Sequence, residues 1–161
     1  MSAWIEVVVL GMKKLGFTLL ELLIALAIVG ALATAAIYTL NVARAKSRDA
    51  KRVSDVSVLR SGLSQYWLQM AVYPVGDGVN LGQAGQNADA LTSNGFVGAG
   101  GSGNVILSQA PVAPKSGEFY FYKGGSAGYS LRFTTERATA YGPASTYYAH
   151  AAGVDQIDEL K

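Results

Sequence analysis

The chain has 161 residues, 50% of them hydrophobic and 15% charged, with a formal net charge of +2. This hydrophobicity excludes a disordered chain, and the near-neutral balance gives no global pull toward nucleic acid or a strongly acidic partner. Cysteine is absent, which excludes disulfides, thiol nucleophiles and zinc–thiolate centres together.

The first eleven residues, MSAWIEVVVLG, precede a second methionine that two lysines follow at once. This arrangement predicts a true start at Met12 and a short basic leader carrying Lys13 and Lys14. From Phe17 to Leu40 runs FTLLELLIALAIVGALATAAIYTL, with Glu21 its only charge. As a helix this segment would be roughly 36 Å long, enough to cross a hydrocarbon core. A signal peptide also begins basic and then apolar, but its apolar stretch is shorter and ends at a small-residue cleavage site. Here the run continues into more helix, which favours a retained membrane segment. Arg44, Lys46, Arg48, Lys51 and Arg52 follow the span and outnumber the two leader lysines. Counted alone, they would place the C-terminal part in the cytoplasm.

No proline interrupts the chain between Phe17 and Tyr73, and apolar residues recur at Val53, Val56, Leu59, Leu63, Tyr66, Trp67 and Met70. Spacings of three and four mark one apolar stripe, so residues 17–70 read as a single helix, apolar all round at first and amphipathic from 41. Gly62 weakens that pattern by about 1 kcal/mol without ending it, whereas Tyr73-Pro74 ends it. Residues 71–161 then form a head. It begins with a Gly-rich loop, 75–104, holding little regular structure beyond a helical turn at Asn87–Leu91. Strands follow at Val105–Leu107, Glu118–Lys123, Gly128–Thr134, Ala138–Tyr141 and Thr146–Ala149, with GGSA closing a hairpin. The tail DQIDELK reads as frayed. The fold class is α+β, with half of a long helix packed on a small antiparallel sheet.

Few residues offer chemistry. Gly98–Gly103, GAGGSG, matches the dinucleotide-binding spacing, with Glu118 downstream as a ribose ligand. Yet Pro111 and Pro114 leave no helix to receive a phosphate, so a flexible loop is the better reading. The lone histidine, His150, has no cysteine or acid pair beside it in sequence and reads as a surface residue. Asp77 and Asp89 are weak calcium candidates without EF-hand spacing. The basic stretch from Arg44 to Arg60 could attract DNA or anionic lipid, but a solvated helix face, or pairing with a neighbouring subunit, fits better. No cofactor, metal or specific nucleic acid is expected. Glu21 differs, because a carboxylate in a membrane helix is costly unless paired.

Lys13-Lys14-Leu15-Gly16, then Phe17-Thr18-Leu19-Leu20-Glu21, then the apolar run resembles the class III signal of type IV pilins and of type II secretion pseudopilins. The resemblance implies a pilin fold. It also implies a leader, residues 1–16, cut between Gly16 and Phe17 by a prepilin peptidase, with N-methylation of Phe17. An N-in, C-out topology is implied as well, against the Lys and Arg count. Residues 17–40 would then form the transmembrane and filament-core half of the helix, and 41–70 its amphipathic half. The implied function is structural rather than enzymatic: a subunit of a type IV pilus serving adhesion, motility or DNA uptake, or a periplasmic pseudopilin of a type II secretion system. A membrane-anchored enzyme or binding module is the alternative of another class. The implied partners are identical subunits in a helical filament, the peptidase, and an inner-membrane assembly platform with its ATPase. Glu21 is expected to neutralise the Phe17 amine of a neighbouring subunit. Gly30 lies where pilin helices often carry a loosening glycine, although Tyr38 replaces the proline that many pilins place eight residues later.

Overall fold

The computed structural model describes residues 16–83 and 85–161, so Met12, Lys13 and Lys14 lie outside the described part. Helix α1 runs unbroken from Leu19 to Met70, 52 residues. It contributes to two compact units, one ending at Leu40 and the other spanning Asn41–Lys161.

In the first unit every described side chain is exposed. Its most apolar 18-residue window has a mean hydropathy of 2.4 and buries nothing within the chain. A helix that is apolar all round is stable in lipid or inside an assembly, because water would otherwise wet its whole surface. Thr34 Oγ1 donates to the Gly30 carbonyl at 2.9 Å, and the helix passes through Gly30 without a break.

In the second unit α1 buries Ala45, Asp49, Arg52, Val56, Leu59, Gly62, Leu63 and Tyr66. The stripe keeps the expected three- and four-residue spacing through Val56, Leu59, Leu63 and Tyr66, but it includes the charged Asp49 and Arg52, while Trp67 and Met70, expected on it, are exposed. Eight strands follow: β1 (Gly76–Leu81), β2 (Ala90–Thr92), β3 (Gly95–Val97), β4 (Val105–Leu107), β5 (Tyr120–Gly125), β6 (Gly128–Thr134), β7 (Thr146–Ala149) and β8 (Val154–Asp155). They form a five-stranded sheet, β1-β5-β6-β7-β8, and a three-stranded sheet, β3-β2-β4. All pairings are antiparallel.

Alternation along the strands sends one face inward. Tyr120, Tyr122, Tyr129, Leu131, Phe133, Tyr147 and Ala149 join Val56, Leu59, Leu63 and Tyr66 in one core. Tyr73 meets Tyr129 edge-on at 4.9 Å, and Phe96 meets Tyr122 at 4.8 Å. Edge-to-face pairs of this kind add about 1 kcal/mol beyond burial. Gly62 faces the three-stranded sheet, and a Cβ there would make ordinary contact with Leu91 Cδ2 at 3.5 Å, so the packing does not demand a glycine.

The head departs from the sequence reading in several places. The stretch 75–104 is not an irregular loop, since it contains β1, β2 and β3. The helical turn expected at Asn87–Leu91 gives way to a strand starting at Ala90, after Asn87 adopts a left-handed φ of 51°. β5 starts at Tyr120 rather than Glu118 and extends to Gly125, which pairs with Gly128 across a two-residue turn. Ala138–Tyr141 forms only a single bridge, Thr139 to Gly142. The tail is tied down rather than frayed. β8 pairs with β7, and the Lys161 carbonyl accepts N–H groups from Tyr129 at 3.3 Å and Ala151 at 3.4 Å. That docking requires Gly128, where a Cβ would come within 2.6 Å of the Lys161 backbone.

Candidate functional site

The segment Gly16–Glu21 starts the described chain. Among the described residues nothing lies within 4 Å of the position a Cβ would take on Gly16, and Phe17 is 84% exposed. Thr18 caps the helix: its Oγ1 accepts the Glu21 backbone N–H at 3.2 Å, and its carbonyl accepts Leu22 N–H at 3.2 Å. Thr18-x-x-Glu21 is thus the spacing of a capping box, a signal present in the sequence that the initial reading passed over. Glu21, exposed in the first turn, places negative charge at the positive end of the helix dipole. A new ammonium at Phe17 would sit at that same end, where the dipole disfavours it and a carboxylate compensates. The geometry places the Glu21 carboxylate in the first turn of its own helix, exposed to its surroundings.

The other expected site residues are dispersed. Asp77 is exposed on β1 and lines a groove with Val75, Lys123 and Asp158, whereas Asp89 lines a separate cleft with Gly82, Ala99 and Ser108. The Asp89 carboxylate accepts Ala99 N–H at 3.2 Å. The two aspartates do not converge, and no cluster of three metal-ligating side chains exists among the described residues. GAGGSG turns tightly, Gly101 N–H donating to Gly98 O at 2.9 Å, and leads into strand β4 rather than a helix.

His150 is not a surface residue: it is 1% exposed. Its Nδ1 lies 2.9 Å from the Tyr129 carbonyl, and its Nε2 lies 3.1 Å from both Asp155 Oδ1 and the Ile157 carbonyl. The ring ties β6 to the chain beyond β8. The Ile157 backbone N–H, then Lys161 and His150, hold the Asp155 carboxyl down at about 2.

The basic stretch of α1 is likewise not simply a solvated face. Arg44 and Lys46 are exposed, but Arg52 is 1% exposed. Its guanidinium reaches Asp49 Oδ1 at 2.7 Å, Glu136 Oε1 at 2.8 Å and Glu118 Oε2 at 2.5 Å. Arg48 forks onto the same Glu136 at 2.7 and 2.5 Å. Asp49 in turn accepts backbone N–H groups from Glu136 and Arg137. Hydrogen bonding by Arg48, with Arg52 adding to it, holds the Glu136 carboxyl down at about 2. For Arg52, burial opposes the charge, but three carboxylates overcome it and push its affinity for a proton up. Arg48 and Arg52 pair within their own chain, tying α1 to the β4–β5 and β6–β7 connections. Tyr120 joins them by donating to Asp55 at 2.8 Å.

A capped, wholly exposed apolar helix leading into an α+β head is the arrangement expected of a prepilin-type subunit. The Prokaryotic N-terminal methylation motif matches residues 11–37. A stretch of 65 residues is 37% identical to the Type II secretion system core protein G of Vibrio cholerae serotype O1 (strain ATCC 39315 / El Tor Inaba N16961). The match covers 40% of this chain and 44% of that relative, so the chain spans less than half the length of the curated protein it matches. No solved structure gives a significant match. The motif and the relative together make the N-terminal part of the chain similar to subunits of the type IV pilin and pseudopilin kind.

Proposed function

We propose that this chain is a structural subunit of a helical filament, held in the membrane by residues 17–40 before assembly and polymerised through the same residues. The carrying observation is the helix from Leu19 to Leu40, wholly exposed within its own chain and carrying one carboxylate in its first turn. Such a surface needs lipid first and other copies of the same helix later. In this reading the leader is cut between Gly16 and Phe17, Phe17 is N-methylated, and Lys13 and Lys14 hold the leader on the cytoplasmic side. The head then lies outside the membrane. An assembly platform and its ATPase would extract each subunit.

Glu21 of an incoming subunit neutralises the Phe17 amine of its neighbour. In a water-poor filament core, desolvation offsets much of the Coulomb gain, so the pair serves register more than stability. A subunit one step out of place would bury both charges unpaired. Gly30 adds local adaptability, and among the described residues nothing packs where its Cβ would sit. In cells producing Glu21→Ala, the leader should still be removed while filament yield collapses; normal yield would refute the pairing.

An extracellular type IV pilus and a secretion pseudopilus remain two destinations for such a subunit. The relative's own name, a type II secretion core protein, favours the pseudopilus. Recovery of the protein in long fibres sheared from cells would favour the pilus.

A further inference from the structure

We propose that the solvent face of the five-stranded sheet is a binding site for a carboxylate-bearing sugar, centred on Arg132. Register places Phe121 opposite Arg132 and Arg132 opposite Tyr148, with Thr134 opposite Thr146 one step along. Residues facing each other across an antiparallel pair share a face, so these five side chains form one contiguous patch. A cleft of about 350 Å³ lies among Glu118, Phe119, Arg132, Thr134, Thr146 and Tyr148, and the Glu118 carboxylate on its wall is paired with Arg52 and Lys115.

Arg132 is set up to receive an anion. Its guanidinium lies over the Phe121 ring, 4.5 Å from the centroid, which holds the planar group flat by a cation–π contact. Among the described residues it makes no salt bridge and no hydrogen bond, unlike Arg48 and Arg52. The nearby acids are already engaged: Glu118 by Arg52 and Lys115, and Asp158 by Lys123 and Ser130. A planar fork with free donors matches one carboxylate in two-point contact. The hydroxyls of Thr134, Thr146 and Tyr148 can each donate and accept, as sugar hydroxyls require. The Phe119 and Tyr148 rings supply apolar area of the kind that the C–H face of a pyranose covers.

Charge count decides against nucleic acid. A single strand carries a phosphate at every nucleotide and is bound through a track of cations. Here one guanidinium is unpaired, and Lys123, also near the Phe121 ring at 5.7 Å, is tied to Asp158. One cation, several hydroxyls and aromatic walls suit a chain with a single carboxylate per sugar unit.

The test uses the full chain in detergent, titrated with trigalacturonate, 3′-sialyllactose, neutral lactose and a single-stranded oligothymidylate, and read by ligand-observed NMR. The expected result is saturable binding of an acidic sugar, none of lactose, and at least about tenfold weaker binding in Arg132→Ala. Arg132→Lys should recover part of that loss. Preference for trigalacturonate would assign the site to uronate polymers, and preference for 3′-sialyllactose to sialylated glycans. Arg132 is exposed, so Arg132→Ala should melt with the parent. No saccharide binding at millimolar concentration, binding unchanged in Arg132→Ala, or tighter binding of oligothymidylate would overturn the proposal.

Discussion

Replacing Arg52 by methionine tests how the head is held together. The substitution keeps much of the side chain's length and apolar stem but removes the cation that three carboxylates share. Asp49, with 4% of its side chain exposed, would lose its charge partner inside the protein, and Glu118 and Glu136 would lose theirs at its edge. Breaking a buried pair from one side costs roughly 3–5 kcal/mol, because a buried charge is left uncompensated. In a unit the size of Asn41–Lys161, each kcal/mol shifts the melting temperature by about 4 °C, so a drop on the order of 12–20 °C is expected. The assay is near-ultraviolet circular dichroism of the full chain in detergent, where buried tyrosines report head packing and the apolar helix contributes little. Adding Asp49→Leu to Arg52→Met should restore part of the loss, because the stranded charge is then gone. A shift below about 3 °C for Arg52→Met would refute the claim that this network locks α1 to the head.

Two further outcomes follow from the same geometry. Glu136 and Asp155 are held at about 2, below the ordinary carboxylate range, so the folded state favours their charged forms. Their stabilisation is complete above about pH 4.5 and is lost as pH falls toward 2. Acid titration of the head should therefore show a loss of stability concentrated in that window, and Glu136→Gln should flatten it. At the end of α1, Ala71 adopts a left-handed φ of 57° while its N–H donates to the Trp67 carbonyl at 2.7 Å. Glycine takes that conformation without the Cβ penalty, so Ala71→Gly should raise stability by about 0.5–1 kcal/mol in a urea melt.

Legibility in the sequence followed the range of the interaction. α1 could be read because its cause is local: no proline from Phe17 to Tyr73, then one apolar stripe. β5 and β6 could be read because buried tyrosines alternate with outward residues on either side of a Gly-rich turn. β1 was missed because its glycines carry no pattern, and β2 and β3 because Ala-Leu-Thr and Gly-Phe-Val lack the β-branched start, Val105-Ile106, that marked the equally short β4. The Arg52 network was out of reach for a different reason. Asp49 lies one turn away, but Glu118 and Glu136 lie 66 and 84 residues downstream. Only the fold brings them together, and the charges then read as a solvated face. His150 misled in the same way, since its acceptors come from β6, Asp155 and Ile157. At the N-terminus the reverse holds. Gly16, Phe17, Thr18 and Glu21 are neighbours in sequence and in space, so the candidate site was legible there, although the partner expected for Glu21 belongs to another copy.

Mass spectrometry of the mature N-terminus tests the central claim most directly. The account predicts a chain that begins at Phe17 and carries a single added methyl group on its α-amine. A mature protein that retains Gly16 and the residues before it would contradict the assignment of this chain to a processed, filament-forming subunit.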